Sequence, residues 1–216
     1  VDVRGHELTV QGTILGVASF LTGPFNRLDR DNLDTNHPET RQNLSAAISQ
    51  FSGWLGAIGR DVPVSPVYES LPKAILDALY GRVSSFDSAD GPSFNKWRRI
   101  LSNWDARGNR ASTDNLFDRV AGDPSVLEFT VKIRNTLCQR RGLFFSIDGH
   151  IGSGPEHMLI SDKIVLVNGV SAPLVLRQYA QRPVLYRVVG PAFVCGFTDL
   201  NNEAQQEQDW SSFTLV

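Results

Sequence analysis

Two cysteines, four histidines and one methionine are all that this 216-residue sequence has of the side chains that most often hold metals or tie small secreted folds together. Cys138 and Cys195 are too few and too far apart for an extracellular disulfide framework, so a reducing, cytoplasmic setting is expected. No apolar run approaches the ~20 residues that cross a bilayer, and no basic-then-apolar leader opens the chain. Neither a membrane partner nor secretion is expected. The sequence starts at Val1 and its single methionine is Met158, the pattern of a processed or excised polypeptide. A formal charge of −2 and a pI near 6.1 supply no long-range attraction for phosphate backbones, so nucleic acid is not expected as a partner. With 41% hydrophobic and 20% charged residues, the chain instead has what a self-sufficient globular core needs.

The first part of the sequence reads as helices behind one early strand. Residues 7–21 mix β-branched residues around Gly12, which suggests a strand or hairpin with a bulge or turn at that glycine. A turn-rich stretch follows, and Pro38 is placed as a first helical residue. Leu44, Ala47, Ile48, Phe51 and Leu55 recur at spacings of three and four, so 39–55 is an amphipathic helix. After the linker-like stretch 59–70, Ser70 is positioned to cap a short helix that buries Ile75, Leu76 and Leu79 and ends at Gly81. Ser93 is positioned to cap another, with Phe94, Trp97, Ile100, Leu101 and Trp104 on its apolar face and Lys96, Arg98 and Arg99 toward solvent. Helices over 114–120 and 124–138 complete the layer, the latter with Val126, Phe129, Ile133 and Leu137 on one side.

From residue 143 the period falls to two. Short runs at 143–147, 163–167, 174–179, 184–189 and 192–197 are separated by turn signals at Asp148-Gly149, Asn168-Gly169, Arg182-Pro183 and Gly190-Pro191. Strands this short leave exposed edges unless they curl and close. The expected fold is α+β: a mainly helical N-terminal layer, 1–139, packed on a small antiparallel β-barrel, 140–216.

Chemistry-bearing residues are sparse. Ser153 lacks the G-x-S-x-G setting of a nucleophile elbow, and the glycines of 149–154 have the wrong order for a dinucleotide loop; they read as a loop using glycine for positive φ. Zinc spacing is absent, and a calcium loop begun at Asp29 would put Asp34 where glycine belongs and Thr40 where the bidentate Glu belongs. No metal and no cofactor are expected. Each cysteine reads as a small buried apolar residue. The Arg140-Arg141 pair and the Lys96/Arg98/Arg99 cluster read as solvated or dipole-complementing charges. Arg177, inside an apolar strand, either points outward or pairs with a carboxylate such as Asp162 or Asp199. The remaining acid–base candidates are Asp148, His150 and Asp162, with Arg177 as an anion clamp. They would require a pocket between helices and barrel, as in a stand-alone small-molecule-binding protein or acid–base enzyme.

Three stretches carry a family pattern. Residues 141–155, RGLFFSIDGHIGSGP, follow R-x-F-x-x-T-x-x-G-x-x-G-x-G-P. Residues 161–177 follow G-D-x-V-x-x-L-x-G-x-x-x-P-x-x-L-R, through Asp162, Gly169, Pro173, Leu176 and Arg177. Residues from Tyr186 to Asp199 follow Y-x-L-V-G-x-x-Y-V-x-G-x-x-D. Upstream, 94–101 is similar to an F-W-R-T-L helix and 8–12 to an L-x-V-x-G strand. Together these resemble the region downstream of the HET domain in fungal heterokaryon-incompatibility proteins. The departures are Ser161 for glycine, Cys195 where a His-like residue is common, and Asn201-Asn202 in place of the glycine before Glu203. The TIR-like HET domain itself lies outside these residues, so the resemblance carries over no death-triggering residue. It implies a non-catalytic accessory role exercised through a protein partner; a small-molecule ligand belongs to the alternative reading.

Overall fold

A computed structural model describes residues 2–4, 7–25, 35–58, 70–82, 91–105, 113–138, 141–181, 183–197 and 209–216. The expectations for 59–69, the Asp29/Asp31/Asp34 group, Arg140, Arg182 and Asp199, and the side chain of Trp104, lie outside the described residues. Within them the chain mixes five helices with one large sheet: β1 (Asp2–Arg4), β2 (Glu7–Leu21), α1 (Pro38–Ala57), α2 (Leu71–Tyr80), α3 (Gly91–Asp105), α4 (Thr113–Ala121), α5 (Pro124–Leu137), β3 (Arg141–Ser146), β4 (Ile151–Pro155), β5 (Lys163–Val167), β6 (Leu174–Gln181), β7 (Val184–Pro191), β8 (Phe193–Val194) and β9 (Ser211–Leu215). Among the described residues, no helix is long and apolar enough to cross a membrane.

The helical layer follows its apolar spacing. In α1, Leu44, Ala47, Ile48, Phe51 and Leu55 are all buried. Phe94, Trp97 and Leu101 of α3 and Phe129 of α5 join the same core, where Trp97 packs edge-on against Phe51 at 5.4 Å and Phe129 at 5.6 Å between ring centroids. Two expected caps differ. Ser70 occupies the N-cap of α2, but its side chain makes no capping bond. Ser93 lies inside α3, which starts at Gly91. The cap that forms is Asp123, whose carboxylate accepts from the amides of Ser125 and Val126 at the start of α5.

β2 is a single 15-residue strand at the centre of the sheet. Its irregularities fall between Ile14 and Gly16 and between Ala18 and Phe20, not at Gly12. Gly12 is required for another reason: a Cβ there would stand 2.7 Å from Val165 Cγ1 and 3.0 Å from the Leu166 carbonyl oxygen. β2 pairs with β9 through its first half, with β5 through its middle on the other edge, and with β3 near its end. The strand at 7–21 therefore shares one sheet with the strands beyond residue 140.

The pairings β2–β5, β5–β6, β6–β7, β7–β9 and β9–β2 return to their starting strand. Strand direction cannot alternate all the way round an odd-numbered circuit, so one pair must be parallel, and β7–β9 is that pair. The expectation of a wholly antiparallel arrangement is corrected on this point. All five strands feed one buried cluster: Val10 from β2, Val165 and Val167 from β5, Leu176 from β6, Tyr186 from β7, and Phe213 and Leu215 from β9. β5 is buried on both faces, because Ile164 and Leu166 point into a second cluster with Leu15, Phe144, Met158 and Val194. The β3–β4–β8 arm lies between that cluster and the helices. Phe144 faces the strands, while Leu143 and Phe145 face the helical core. Trp54 Nε1 donates to the Phe144 carbonyl at 3.2 Å, and Cys195 Sγ donates to the Ala74 carbonyl at 3.0 Å, tying α1 and α2 to this arm.

Three further expectations change. Residues 151–155 form β4, not a loop. The run 192–197 contracts to the two residues of β8, because the Phe197 amide turns back to the Val194 carbonyl and Gly196 takes φ +82°. Gly190-Pro191 belongs to the end of β7, not to a turn.

Candidate functional site

The residues with candidate chemistry occupy two places, on opposite edges of β2. The first is the β3–β4 turn. Gly149 adopts φ +83° at its tip, and the Ser146 hydroxyl accepts from the His150 amide at 3.0 Å. Asp148 reaches across to β2, where its Oδ2 accepts from the Val17 amide at 3.3 Å. That approach needs Gly16, since a Cβ there would lie 2.9 Å from Asp148 Oδ2 and 2.8 Å from Ser146 Oγ. The His150 ring stands edge-on to Phe197 at 5.1 Å. Burial pushes its pKa down, with the Asp148 carboxylate partly opposing the shift.

The second place is the turn between β4 and β5. Asp162 is 3% exposed. Its Oδ1 accepts from Arg177 Nε at 2.9 Å and its Oδ2 from Arg177 Nη2 at 2.8 Å, a two-point clamp between the turn and β6. Asp162 Oδ2 also accepts from the Leu159 amide at 2.7 Å, and Arg177 Nη2 donates to the His157 carbonyl. The hydrogen bond with Asp162 raises the pKa of Arg177. Of the two readings left open for Arg177, pairing with Asp162 is the arrangement found.

The two places do not merge. Asp148 meets the amide of Val17, whereas the carbonyl of Asp162 meets the amide of Ala18. Successive amides along a strand point to opposite edges. Both oxygens of Asp162 are engaged by Arg177, so this carboxylate is not a base poised for a substrate proton. Among the described residues, no group of three or more His, Cys, Asp or Glu side chains is arranged to hold a metal ion. Both cysteines are free. Burial pushes the Cys195 thiol up, away from nucleophilic thiolate chemistry.

Glycines of the 149–155 segment serve two purposes. Gly149 supplies positive φ. Gly152 and Gly154 lie within β4 because there is no room for a side chain: a Cβ on Gly152 would collide with the Phe193 carbonyl and the Phe144 ring, and one on Gly154 would stand 2.5 Å from Met158 Sδ. Positive φ throughout, the reading from sequence, is thus replaced by close packing at two of the three positions. Ser161 is the only non-glycine with positive φ among the described residues, at +78°.

What sequence reasoning missed is the surface around the clamp. Leu159 and Ile160 are 54% and 62% exposed on the turn that Asp162 braces. Arg177 pairs across the β6–β7 hairpin with Arg187, whose guanidinium lies 3.9 Å over the exposed ring of Tyr179. The available signal was the adjacent apolar pair Leu159-Ile160 inside a turn, where alternation gives no reason to bury either. Comparison with family models, with curated proteins and with solved structures finds no match.

Proposed function

We propose that this chain is a non-catalytic accessory module of a fungal heterokaryon-incompatibility-like protein, working through contact with a protein partner. The observation that carries this reading is the use to which the shared motif residues are put. Asp162 and Arg177, the acidic and basic ends of G-D…L-R, hold each other. Gly152 and Gly154 of G-x-G-P admit no side chain, and Gly149, Gly169 and Gly196 take positive φ. Ser161, standing where the family pattern has glycine, takes the backbone conformation that favours glycine. A pattern in which these polar and glycine positions maintain the fold is the mark of a shared scaffold, not of a reaction centre. On this reading the closed circuit of β2, β5, β6, β7 and β9 is a small barrel, and the cytoplasm is its setting.

The acid–base alternative draws on Asp148, His150, Asp162 and Arg177, which stand in two pairs on opposite edges of β2. The surface suited to a protein contact is the one bearing Leu159, Ile160, Tyr179 and Arg187, a mixture of exposed apolar, Tyr and Arg side chains of the kind enriched in interfaces. The test is a calorimetric titration of the chain with a separately expressed HET domain. Saturable binding is expected, weakened about tenfold or more by Ile160→Asp or Tyr179→Ala and unchanged by Asp148→Asn. No binding, or turnover of a small molecule that depends on Asp148 and His150, would overturn the reading.

A further inference from the structure

Two arginines face each other across the β6–β7 hairpin. Arg177 and Arg187 are direct cross-strand partners, a placement in which like charges repel. Only one of them is neutralised. Asp162 uses both carboxylate oxygens on Arg177, whereas Arg187 is exposed and forms no ion pair among the described residues. The hairpin therefore carries one uncompensated cation, beside the turn that presents Leu159 and Ile160.

That cation is held in place. The β6–β7 register shifts between Gln178 and Ala180, which makes Tyr179 the extra residue of a bulge, and a bulge re-aims its side chain out of the strand's alternation. Gln178 Nε2 spans the bulge and donates to the Ala180 carbonyl at 3.2 Å. The exposed Tyr179 ring thus comes to lie against the Arg187 guanidinium, 3.9 Å from it. Stacking on the ring restrains the guanidinium while leaving its N–H groups for an acceptor, so part of the ordering cost of binding is already met in the free chain. Leu159 and Ile160 supply the apolar area that excludes water around such a contact once a partner covers it.

Resting on the reading of this face as a protein contact, we propose that Arg187 receives a carboxylate of the partner, an Asp or Glu side chain set in an apolar patch that seats on Leu159, Ile160 and Tyr179. Charge count selects the acceptor. One uncompensated cation matches the single charge of a carboxylate, whose two oxygens fit the guanidinium fork, while a phosphate group with nearly two charges would leave one unmatched. Anionic lipid and nucleic acid present rows of negative charge and reward many cations; this face offers one among the described residues. A two-fold contact between copies of the chain would bring two uncompensated arginines into one interface.

The chain is titrated calorimetrically with a separately expressed HET domain at about 50 mM and about 500 mM NaCl, where screening differs strongly. Parent binding is expected to weaken at the higher salt. Arg187→Gln is expected to weaken binding about tenfold or more at the lower salt and to remove most of the salt dependence. Arg187→Lys, which keeps the charge without the planar fork, recovers only part of the loss, and Arg119→Gln on the exposed side of α4 changes nothing. As a surface substitution, Arg187→Gln should leave the urea midpoint of the chain nearly unaltered, which separates a lost contact from a lost fold; should the midpoint shift, Arg187→Lys carries the same test. Parent-like binding by Arg187→Gln, or parent binding indifferent to salt, overturns the carboxylate proposal and leaves the protein contact standing where Ile160→Asp still weakens it. Absence of any binding overturns both. Tighter binding to phosphatidylserine vesicles than to the HET domain, or self-association of the chain in sedimentation that Arg187→Gln abolishes, identifies a different occupant and also overturns the proposal.

Discussion

Replacing Ser161 by glycine is expected to make this protein more stable. Ser161 is solvent-exposed with φ +78°, a conformation in which its Cβ crowds the backbone at a cost of about 1–2 kcal/mol for an L-residue. The chain is held there by contacts that a glycine would keep. The Ser161 amide donates to the Ala18 carbonyl at 2.9 Å, the Asp162 amide donates to the Leu159 carbonyl at 3.1 Å, and the Asp162 carboxylate accepts from the Leu159 amide. Against the relief stands the greater freedom of a glycine in the unfolded chain, about 0.4–1 kcal/mol. The difference leaves a net gain of about 0.5–1 kcal/mol, or a rise in Tm of about 1–4 °C for a chain of this length. Urea titration at constant m-value measures it, with Ser161→Ala and Ser161→Val as controls. Alanine should be near neutral, because it keeps the Cβ. Valine should be destabilising, because a β-branched residue is least tolerant of positive φ. The reasoning fails if the glycine variant is less stable than the parent, or if valine is tolerated as well as serine.

Gly152→Ala and Gly169→Ala separate the two reasons for glycine. The first forces a methyl group into the Phe144 ring and should cost about 3 kcal/mol or more; the second meets open space at φ +80° and should cost about 1 kcal/mol; equal costs in denaturant titration would contradict the packing argument. Arg134 is 1% exposed, burial pushes its pKa down, and its Nη1 makes no hydrogen bond; Arg134→Met should therefore raise stability by about 1–3 kcal/mol, and a loss of stability would refute this account. With a thiol-specific chromogenic reagent, Cys138 should react in the native protein and Cys195 only on unfolding, and rapid native labelling of both would show that α2 does not seal Cys195. Hydrogen bonds from Ser125 and then Lys96 hold the Asp123 carboxyl near pKa 2, below its ordinary 3.8. Its stabilisation is therefore complete above about pH 4 and is lost as pH falls through about 2, so the stability gap between parent and Asp123→Ala should close over that window, and a gap that persists at pH 2 would exclude the charged cap as its source.

The elements legible in the sequence are those whose periodicity decides their burial. The α1 stripe of Leu44, Ala47, Ile48, Phe51 and Leu55 is buried as its spacing dictates, and β5 spans Lys163–Val167 as the apolar run predicts. β4 was hidden because Gly152-Ser153-Gly154 has little strand propensity of its own; the close approach of Phe144 and Phe193 selects glycine there, and that information is tertiary. β9 is only five residues, and the alternation of Phe213 and Leu215 is too short to identify a strand without knowing that β2 offers it an edge. At the candidate site, a charge inside an apolar strand left two readings of Arg177 open, and pairing with a carboxylate was one of them. The division of the four candidates into two pairs was not legible, because it depends on which edge of β2 each one meets.

The Asp162–Arg177 clamp shows why motif residues alone mislead here. An acidic and a basic residue fifteen positions apart, in a chain poor in other chemistry, can be read as an acid and an anion clamp. In the fold each satisfies the other: the carboxylate is 3% exposed and uses both oxygens on the guanidinium, and it braces the turn through the Leu159 amide. Removing Arg177 would leave a buried charge without its partner, which is why such a pair persists whatever the protein does. Function is then to be sought among side chains that the fold places at the surface without using them. Leu159, Ile160 and Tyr179 beside the clamp meet that condition. Because these side chains are exposed, single substitutions among them should leave the fold undisturbed, in contrast to a substitution at Asp162 or Arg177.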